Sequence, residues 1–243
     1  MKDMDIVITM AGLGSRFRKS GYDLPKYMIC VKGKSLFEWS MLSLKGYADK
    51  VFQYIFVVRK DKDYDVESFL RSACIQLGIT DFRIRIIQDL TDGQAATAML
   101  ARPYWTADHS LLIYNIDTYV EPLALRASEL RGDGFIPCFQ GKGDHWSFVR
   151  LDDYGKAVEV REKERISDYC SLGAYYFRTC RLFESLYQEY YDDERHLVNG
   201  EKYVAPLYNH LLAKGGEIFI SDVDSEYVHV LGTPEEVEEF AKT

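Results

Sequence analysis

The 243-residue sequence contains no continuous apolar run of the length that a membrane-spanning helix needs, about 18–20 residues. Its first residues also lack the basic and apolar regions of a secretory signal peptide. Only five cysteines occur, at irregular separations and without a C-x-x-C pair, which argues against a disulfide framework and against a zinc site. These absences predict a cytoplasmic protein with reduced thiols and no membrane partner.

Basic residues are also too few for a protein that binds nucleic acid or a membrane surface. The 30 Lys and Arg residues stand against 38 Asp and Glu, a net charge of −8, whereas such partners require a net basic face. The charge is not uniform, however. Residues 12–34 contain six cations and one aspartate, a local charge of +5 that leaves −13 for the rest of the chain. A local excess of this kind is typical of a polyphosphate site.

The apolar pattern predicts an α/β fold. Short β-rich runs alternate with amphipathic segments over the first 120 residues, which favours a three-layer, doubly wound sheet, mixed but mostly parallel. Predicted strands lie at 6–10, 27–31, 52–58, 82–87 and 111–114, and predicted helices at 35–48, at 66–77 and from 93 to before Pro103. In the second half we expect a hairpin (146–151 with 157–160), strands at 172–177, 218–220 and 227–231, and helices at 180–191, 203–214 and 234–241. With no internal repeat or linker, residues 1–243 are interpreted as one domain.

Unusual polar chemistry follows three of the predicted strands. Residues 11–26, 88–94 and 115–118 all lie at strand ends that would meet at one edge of the sheet. Ligands of open α/β sheets bind outside the carboxyl ends of the strands. These three segments therefore mark the expected site.

The first of these segments is glycine-rich and cationic. In Ala11-Gly12-Leu13-Gly14-Ser15-Arg16, two glycines allow backbone N–H groups to approach an anion, and Arg16 can bind phosphate oxygens bidentately. A G-x-G pattern alone is weak, and it could be an ordinary turn. A dinucleotide fingerprint would need a small residue where Phe17 stands, and a phosphate-binding P-loop would need a glycine in place of Met28.

Further motifs follow in a fixed order. In Pro25-Lys26, the lysine lies ten residues after Arg16. Gln88 lies five residues before Gly93, which Gln94 follows. Asp117 lies at the end of the predicted strand that begins at residue 111. Glu162-Lys163, Gly173 and the segment from Leu231 to Glu236 complete the series. Together they resemble the nucleotidyltransferases that activate sugar phosphates and similar small phosphates, the nucleoside-diphospho-sugar pyrophosphorylase-like family. Gly93–Thr97 and Ile166-Ser167 look closest to capsule-associated members, a branch that includes a CTP:phosphoglutamine cytidylyltransferase.

The resemblance implies a Rossmann variant in which residues 1–120 bind the nucleotide and residues 121–243 the acceptor. It implies transfer of a nucleotidyl group from an NTP, with CTP favoured, to a small phosphorylated metabolite, with release of pyrophosphate, in capsule or surface polysaccharide synthesis. The catalytic residues that it implies are Arg16 and Lys163, which would bind phosphate groups, and Lys26, which would act at the α-phosphorus. It also implies that Asp117 binds Mg²⁺. Implied nucleotide-binding residues are Ala11, Gly12, Leu13, Gly14, Ser15, Gln88, Gly93 and Gln94, and implied acceptor-binding residues are Glu162, Lys163 and Gly173.

Other interpretations of these residues remain open. Lys26 could simply flank a strand, Asp117 could cap the next helix, and Lys163 could belong to a solvated charged face. Hexose-phosphate members carry a second metal-binding aspartate where this sequence has Val230; Asp222 or Asp224 could replace it, although a solvated loop fits both better. The alternative function is a hexose-1-phosphate nucleotidyltransferase that makes a nucleoside-diphosphate sugar. This departure weakens that choice of acceptor more than it weakens the assignment of the reaction type.

Two rivals belong to other functional classes. Asn115-Ile116-Asp117 imperfectly resembles the Asp-x-Asp motif of a nucleotide-sugar-dependent glycosyltransferase, but that enzyme has no use for the glycine-rich opening. An inactive nucleotide-binding module would be favoured by loss of Arg16, Lys26 or Asp117, and all three are present.

Overall fold

A computed structural model describes residues 2–243, which form fourteen strands and seven α-helices. The first half runs through β1 (Met4–Met10), α1 (Ser15–Lys19), β2 (Cys30–Val31), β3 (Lys34–Ser35), α2 (Leu36–Leu42), β4 (Val51–Arg59), α3 (Val66–Gln76), β5 (Phe82–Ile87), α4 (Gln94–Met99) and β6 (Ser110–Asn115). The second half runs through β7 (Thr118–Val120), β8 (Gly134–Gln140), β9 (Ser147–Leu151), β10 (Ala157–Glu162), β11 (Tyr169–Ser171), β12 (Ala174–Phe177), α5 (Cys180–Tyr190), α6 (Ala205–Ala213), β13 (Ile218–Asp222), β14 (Val228–Val230) and α7 (Pro234–Lys242).

Ten strands form one mixed sheet in the order β10-β9-β11-β8-β12-β6-β1-β4-β5, with β13 beside β8. The strands of the first half pair in parallel, as β6 with β1, β1 with β4, and β4 with β5. Antiparallel strands from the second half continue the sheet beyond β6, where β12 pairs with it. The predicted α/β fold with a doubly wound, mostly parallel mixed sheet is confirmed.

The sheet is covered on both faces, which gives the three layers. Side chains of β1 alternate between the faces, as the pleat of a strand requires. Ile6 and Ile8 belong to a buried cluster with Phe37 of α2, and Val7 belongs to the opposite cluster with Phe183 of α5. None of the helices within residues 2–243 is both long and apolar enough to cross a membrane.

A third buried cluster joins the two ends of the chain. Phe17 of α1 lies in it together with Val237 and Phe240 of α7, and all three side chains are buried. The helix that closes the chain is thereby held beside the glycine-rich loop that opens it. Residues more than 200 positions apart in the sequence reach the same place through this packing.

The predicted strand at 27–31 is wrong. Residues Lys26–Met28 form a short 3₁₀ helix, and only Cys30–Val31 forms a strand. That pair forms a small hairpin with Lys34–Ser35 outside the main sheet. Lys32 and Gly33 both have positive φ, 51° and 77°, as the tight two-residue turn of a hairpin requires. Tyr27, Met28, Ile29 and Val31 are buried and Cys30 is exposed, but the run has no partner strand in the main sheet.

Three strands of the second half, β7, β8 and β11, were not predicted. β8 was missed because Gly134 and Pro137 interrupt its apolar pattern, and β7 because it has only three residues. β11, at Tyr169–Ser171, precedes the strand predicted at 172–177, which is present in shortened form as β12, Ala174–Phe177. The remaining predicted elements are present, including α2, which begins with a capping box between Ser35 and Glu38.

Buried hydrogen bonds fix the turn that follows β6. The Tyr114 hydroxyl donates to the Thr118 carbonyl oxygen at 2.9 Å, and the Ser43 hydroxyl accepts from the Val120 N–H at 2.9 Å. Both bonds lie below the turn that carries Asp117. Ser43, in the 3₁₀ helix that extends α2, thus supports a segment 77 residues away in the sequence.

We predict that Ser43→Ala lowers the free energy of unfolding by about 1–3 kcal/mol, because it leaves the buried Val120 N–H without its acceptor. Denaturant unfolding measures the change. Ser185→Ala is the control, since it removes a serine whose hydroxyl bonds only an exposed glutamate, Glu189; we expect a change within about 0.5 kcal/mol. Equal effects of the two substitutions would contradict the prediction.

Candidate active site

A cleft of about 600 Å³ opens at the carboxyl ends of β1, β4 and β6 and extends between the two halves of the chain. This is where a doubly wound sheet places its ligands. Thirteen of the residues predicted for the site line the cleft: Ala11, Gly12, Leu13, Gly14, Ser15, Arg16, Lys26, Gly93, Gln94, Asp117, Glu162, Lys163 and Gly173.

The parallel register brings the first group together. Thr9 of β1 lies opposite Asn115 of β6, and Met10 lies opposite Val58 of β4, so the glycine-rich loop leaves the sheet between those two strand ends. Gly14, with φ of 62°, turns the chain into α1, and Arg16 follows in its first turn. The Gln94 side chain donates to the Thr9 hydroxyl at 3.2 Å, which ties the start of α4 to the same edge.

Lys26 and Asp117 form an ion pair in the cleft. The Lys26 Nζ lies 2.6 Å from Asp117 Oδ1, and the exposed fractions of the two side chains are 11% and 45%. The Lys26 Nζ also lies 5.5 Å from the centre of the Phe17 ring. Lys26 is therefore not a solvated surface lysine. Asp117 caps no helix, because the strand β7 follows it.

The opposite wall of the cleft contains the predicted Glu162-Lys163 pair. Glu162 ends β10, and its carboxylate accepts a hydrogen bond from the Ser147 hydroxyl, which also contacts the Tyr175 hydroxyl at 2.8 Å. Burial raises the pKa of Glu162 above its ordinary value, and the Ser147 bond and the Lys163 charge oppose that shift. A buried carboxylate of this kind is suited to bind hydroxyl or amine groups of a ligand.

Lys163 donates to the Tyr203 hydroxyl and lies over its ring, with the Nζ 4.5 Å from the ring centre. Its backbone has a positive φ of 57°, so its side chain is directed differently from those of most of its charged sequence neighbours. Of the run Arg161–Arg165, only Glu162 and Lys163 line the cleft.

Gln88 and two aspartates lie elsewhere. Gln88 is exposed after β5 and does not line the cleft, so its part in base recognition stays a prediction. Asp222 accepts from the Gln140 side chain at 3.0 Å, and Asp224 caps a 3₁₀ helix at Glu226. Both aspartates line a separate cavity of about 400 Å³, so neither joins Asp117.

Two residues of the wall that contains Glu162 and Lys163 were missed by sequence reasoning. Glu201 and Tyr203 reach the cleft from the loop between α5 and α6. That loop is bound to the start of α4, where the Ala95 N–H donates to the Lys202 carbonyl oxygen at 2.9 Å. A Cβ on Gly93 would lie 2.6 Å from that oxygen, and Gly93 has a φ of 112°. Glycine is required there by the approach of a distant loop, which no local pattern reveals.

Arg59 and Asp61 were also missed. Both line the cleft, Arg59 as the last residue of β4 and Asp61 just after it, and Asp61 is bound by Arg18 at 3.2 Å. The signal that could have found Arg59 is its position, because it is a cation at the carboxyl end of a buried strand that pairs directly with β1.

Chemically, the cleft has a cationic end and a polar end. Arg16, Arg18, Lys26 and Arg59 lie near the glycine-rich loop, while Ser147, Glu162, Glu201 and Tyr203 lie across from them with Lys163. The arrangement can hold a polyphosphate at one end and a smaller phosphate with polar substituents at the other.

Solved structures of other proteins share the fold over nearly the whole chain. A nucleoside-diphosphate-sugar pyrophosphorylase from Vibrio cholerae RC9 is 36% identical, with 98% of this chain and 100% of that chain covered and a TM-score of 0.89. The inositol-1-phosphate CTP transferase from T. maritima is 16% identical, with 100% and 96% covered and a TM-score of 0.78. A candidate glucose-1-phosphate thymidylyltransferase from Bacillus anthracis is 18% identical, with 98% and 94% covered and a TM-score of 0.79.

The last two similarities, at below 25% identity, establish the fold alone. No family model matches the chain, and no curated protein matches it. The similarity to the Vibrio cholerae protein, at 36% identity over nearly the whole of both chains, carries an assignment of family.

We predict that Glu162→Gln stabilises the protein more at about pH 7.5 than at about pH 4. Burial raises the pKa of Glu162 above 4.5, so over the interval above that value the folded protein binds more protons than the unfolded chain. Wild-type stability then falls as the pH rises through this interval, and glutamine removes that loss.

Denaturant unfolding at the two pH values measures this effect. The exposed Glu164→Gln is the control for loss of one negative charge in the same segment. The prediction is contradicted if wild type and Glu162→Gln differ by the same free energy at both pH values.

Proposed function

This chain belongs to the nucleotidyltransferase family that contains the nucleoside-diphosphate-sugar pyrophosphorylases, and we propose that it transfers a nucleotidyl group from a nucleoside triphosphate to a small phosphate monoester and releases pyrophosphate. The observation that carries this proposal is the cleft itself. Arg16 and the Lys26–Asp117 ion pair lie at one end, and Glu162 with Lys163 lies at the other. Two phosphorylated ligands can thus be held facing each other.

The reaction needs little covalent chemistry from the protein. The attacking group is a phosphate oxygen of the acceptor, which is largely ionised at neutral pH because its second pKa is about 6. No general base is required. The difficulty is the approach of two anions, so catalysis consists of positioning and charge stabilisation during in-line attack.

Each cation has a role in that scheme. Arg16 binds the β- and γ-phosphates that leave as pyrophosphate, and Lys26 stabilises the charge that develops around the α-phosphorus. Lys163 binds the acceptor phosphate, and Glu162 accepts from its substituents. Binding the phosphates requires Lys26 to share its charge between the ligand and Asp117, which lies 2.6 Å away.

We propose Mg²⁺ as the cofactor. Asp117 fits this ion, since it presents a carboxylate that is 45% exposed in the cleft and Mg²⁺ prefers carboxylate and phosphate oxygens. The ion would neutralise phosphate charge. Lys26 holds Oδ1 of that carboxylate at 2.6 Å, and Oδ2 is the oxygen that would bind the metal.

For the nucleotide we propose CTP, and for the product a precursor of capsule or surface polysaccharide. Both rest on the resemblance of Gly93–Thr97 and Ile166-Ser167 to capsule-associated members. A hexose 1-phosphate acceptor is the alternative, and the name of the Vibrio cholerae relative, a nucleoside-diphosphate-sugar pyrophosphorylase, favours it.

The glycosyltransferase rival is weakened by the position of Asn115. Its side-chain oxygen lies 3.4 Å from the Asp117 N–H, and its amide lies where a Cβ on Gly173 would meet it at 1.9 Å. Packed in this way, Asn115 cannot serve as the first ligand of an Asp-x-Asp motif. The inactive-module rival is weakened because Arg16, Lys26 and Asp117 all line the cleft.

Pyrophosphate release is the test of the proposed reaction. The protein is incubated with Mg²⁺, each of the common NTPs and a panel of phosphate monoesters that includes hexose 1-phosphates and acyclic phosphates. We expect release only when an acceptor is present, and fastest with CTP. Absence of pyrophosphate with every pair would overturn the proposal, and glycosyl transfer from a nucleotide-sugar would support the rival.

We predict that Lys26→Ala lowers kcat by about 10²–10³-fold, because it removes a fixed charge from the reacting phosphate. Circular dichroism and the melting temperature show whether the fold persists, as we expect, since Asp117 is exposed enough to be solvated alone. Lys19→Ala is the matched control, because Lys19 is exposed in α1 and does not line the cleft. Near-normal turnover of Lys26→Ala would remove its catalytic role.

A further inference from the structure

One carboxylate oxygen in the cleft has no partner. Glu236 lines the cleft, and its Oε2 is fully buried without a hydrogen bond from any residue between 2 and 243. A buried carboxylate oxygen without a donor or a cation is costly, so it calls for a physical explanation.

The start of α7 offers no such explanation. Thr233 caps the helix by accepting from the Glu236 N–H at 3.2 Å. The sequence Thr233-Pro234-Glu235-Glu236 has capping-box spacing, in which the glutamate would reach back to the Thr233 N–H. At α2 the same spacing gives both bonds, between Ser35 and Glu38. At α7 the return bond is not made, so the Glu236 carboxylate is directed elsewhere.

That carboxylate is directed toward Gly232. A Cβ built on Gly232 would lie 3.2 Å from Glu236 Oε2, 3.9 Å from Arg16 Nη1 and 4.0 Å from Asp117 Oδ2. The three charged groups therefore surround one small space that glycine leaves open. Asp117 faces this space with Oδ2, because Lys26 holds its Oδ1 at 2.6 Å.

Contacts outside the cleft fix the backbone that carries Asp117 and Glu236. The Leu231 N–H donates to the Asp117 carbonyl oxygen at 2.7 Å, which ties the segment before α7 to the turn after β6. Val237, the residue after Glu236, is buried in the cluster that joins α7 to α1. The backbone of Asp117 is therefore tied to the segment that leads into α7, and the backbone beside Glu236 is anchored in that cluster.

We propose that Glu236 is the second carboxylate of the Mg²⁺ site, together with Asp117. This inference rests on the proposed nucleotidyl transfer and adds a residue to it. Mg²⁺ is usually bound by one or two carboxylates together with phosphate oxygens and water. Residues 2–243 contain no group of three or more acidic, histidine or cysteine side chains that could hold a metal ion, so substrate phosphates and water complete the coordination.

The competing interpretation is that Glu236 only orients Arg16. The two interpretations differ in what glutamine does at position 236. If Glu236 binds the metal, Glu236→Gln weakens metal binding in the free protein. If it only orients Arg16, metal binding is unchanged and only the affinity for the triphosphate falls.

Direct metal binding is the test. Mn²⁺, which replaces Mg²⁺ and is detected by electron paramagnetic resonance, is titrated into the protein without nucleotide. We expect Glu236→Gln and Asp117→Asn each to weaken Mn²⁺ binding by about tenfold or more. Glu235→Gln is the matched control, because it removes the same charge from the same helical turn but is exposed and does not line the cleft; we expect wild-type binding.

Melting temperature provides a second readout that does not depend on activity. Mg²⁺ should raise the melting temperature of wild type and of Glu235→Gln, and raise that of Glu236→Gln less, because a ligand stabilises only the state that binds it. Wild-type Mn²⁺ affinity in Glu236→Gln, or no binding by wild type, overturns the inference. If pyrophosphate release by wild type persists in that case, the proposed function stands and only the role of Glu236 fails.

Discussion

Parallel pairing of β1 with β4 and β6 is the constraint on which the site depends. In a parallel sheet all three strands end at the same edge, and the register places Thr9 beside Asn115 and Met10 beside Val58. The glycine-rich loop, Arg59 and the turn with Asp117 thus meet without any direct sequence relation. A shift of one residue between β1 and β6 would turn every inward side chain to the opposite face and would separate Lys26 from Asp117.

Acidic side chains within the cleft partly neutralise its basic side chains. Of the six cations in residues 12–34, only Arg16, Arg18 and Lys26 line the cleft. Arg18 is paired with Asp61 and Lys26 with Asp117. Lys32 and Lys34 lie over the aromatic rings of Phe240 and Trp39 instead. The local charge of +5 therefore locates the site correctly but overstates its positive charge, because partners from distant strands offset part of it.

Packing between distant segments supplies the rest of the cleft. The loop that carries Glu201 and Tyr203 is held against α4 by contacts between Lys202 and Gly93. The helix that carries Glu236 is held against α1 through Phe17, Val237 and Phe240. Backbone hydrogen bonding to Lys202 positions the loop, and an apolar cluster positions the helix, so contacts outside the cleft are part of the functional architecture.

The sequence alone determined the fold class and most of the strands and helices, since hydrophobic periodicity is a local property. Its motifs, and the family resemblance that they carry, pointed to thirteen residues that line the cleft. The sequence could not show that residues 27–31 form a 3₁₀ helix and a hairpin, or that β8 tolerates Pro137, because strand pairing depends on neighbours far along the chain. Only the tertiary structure decided that Gln88 lies outside the cleft while Arg59, Glu201, Tyr203 and Glu236 lie within it. Those positions follow from how non-contiguous segments pack, and packing between such segments leaves no periodic pattern in the sequence.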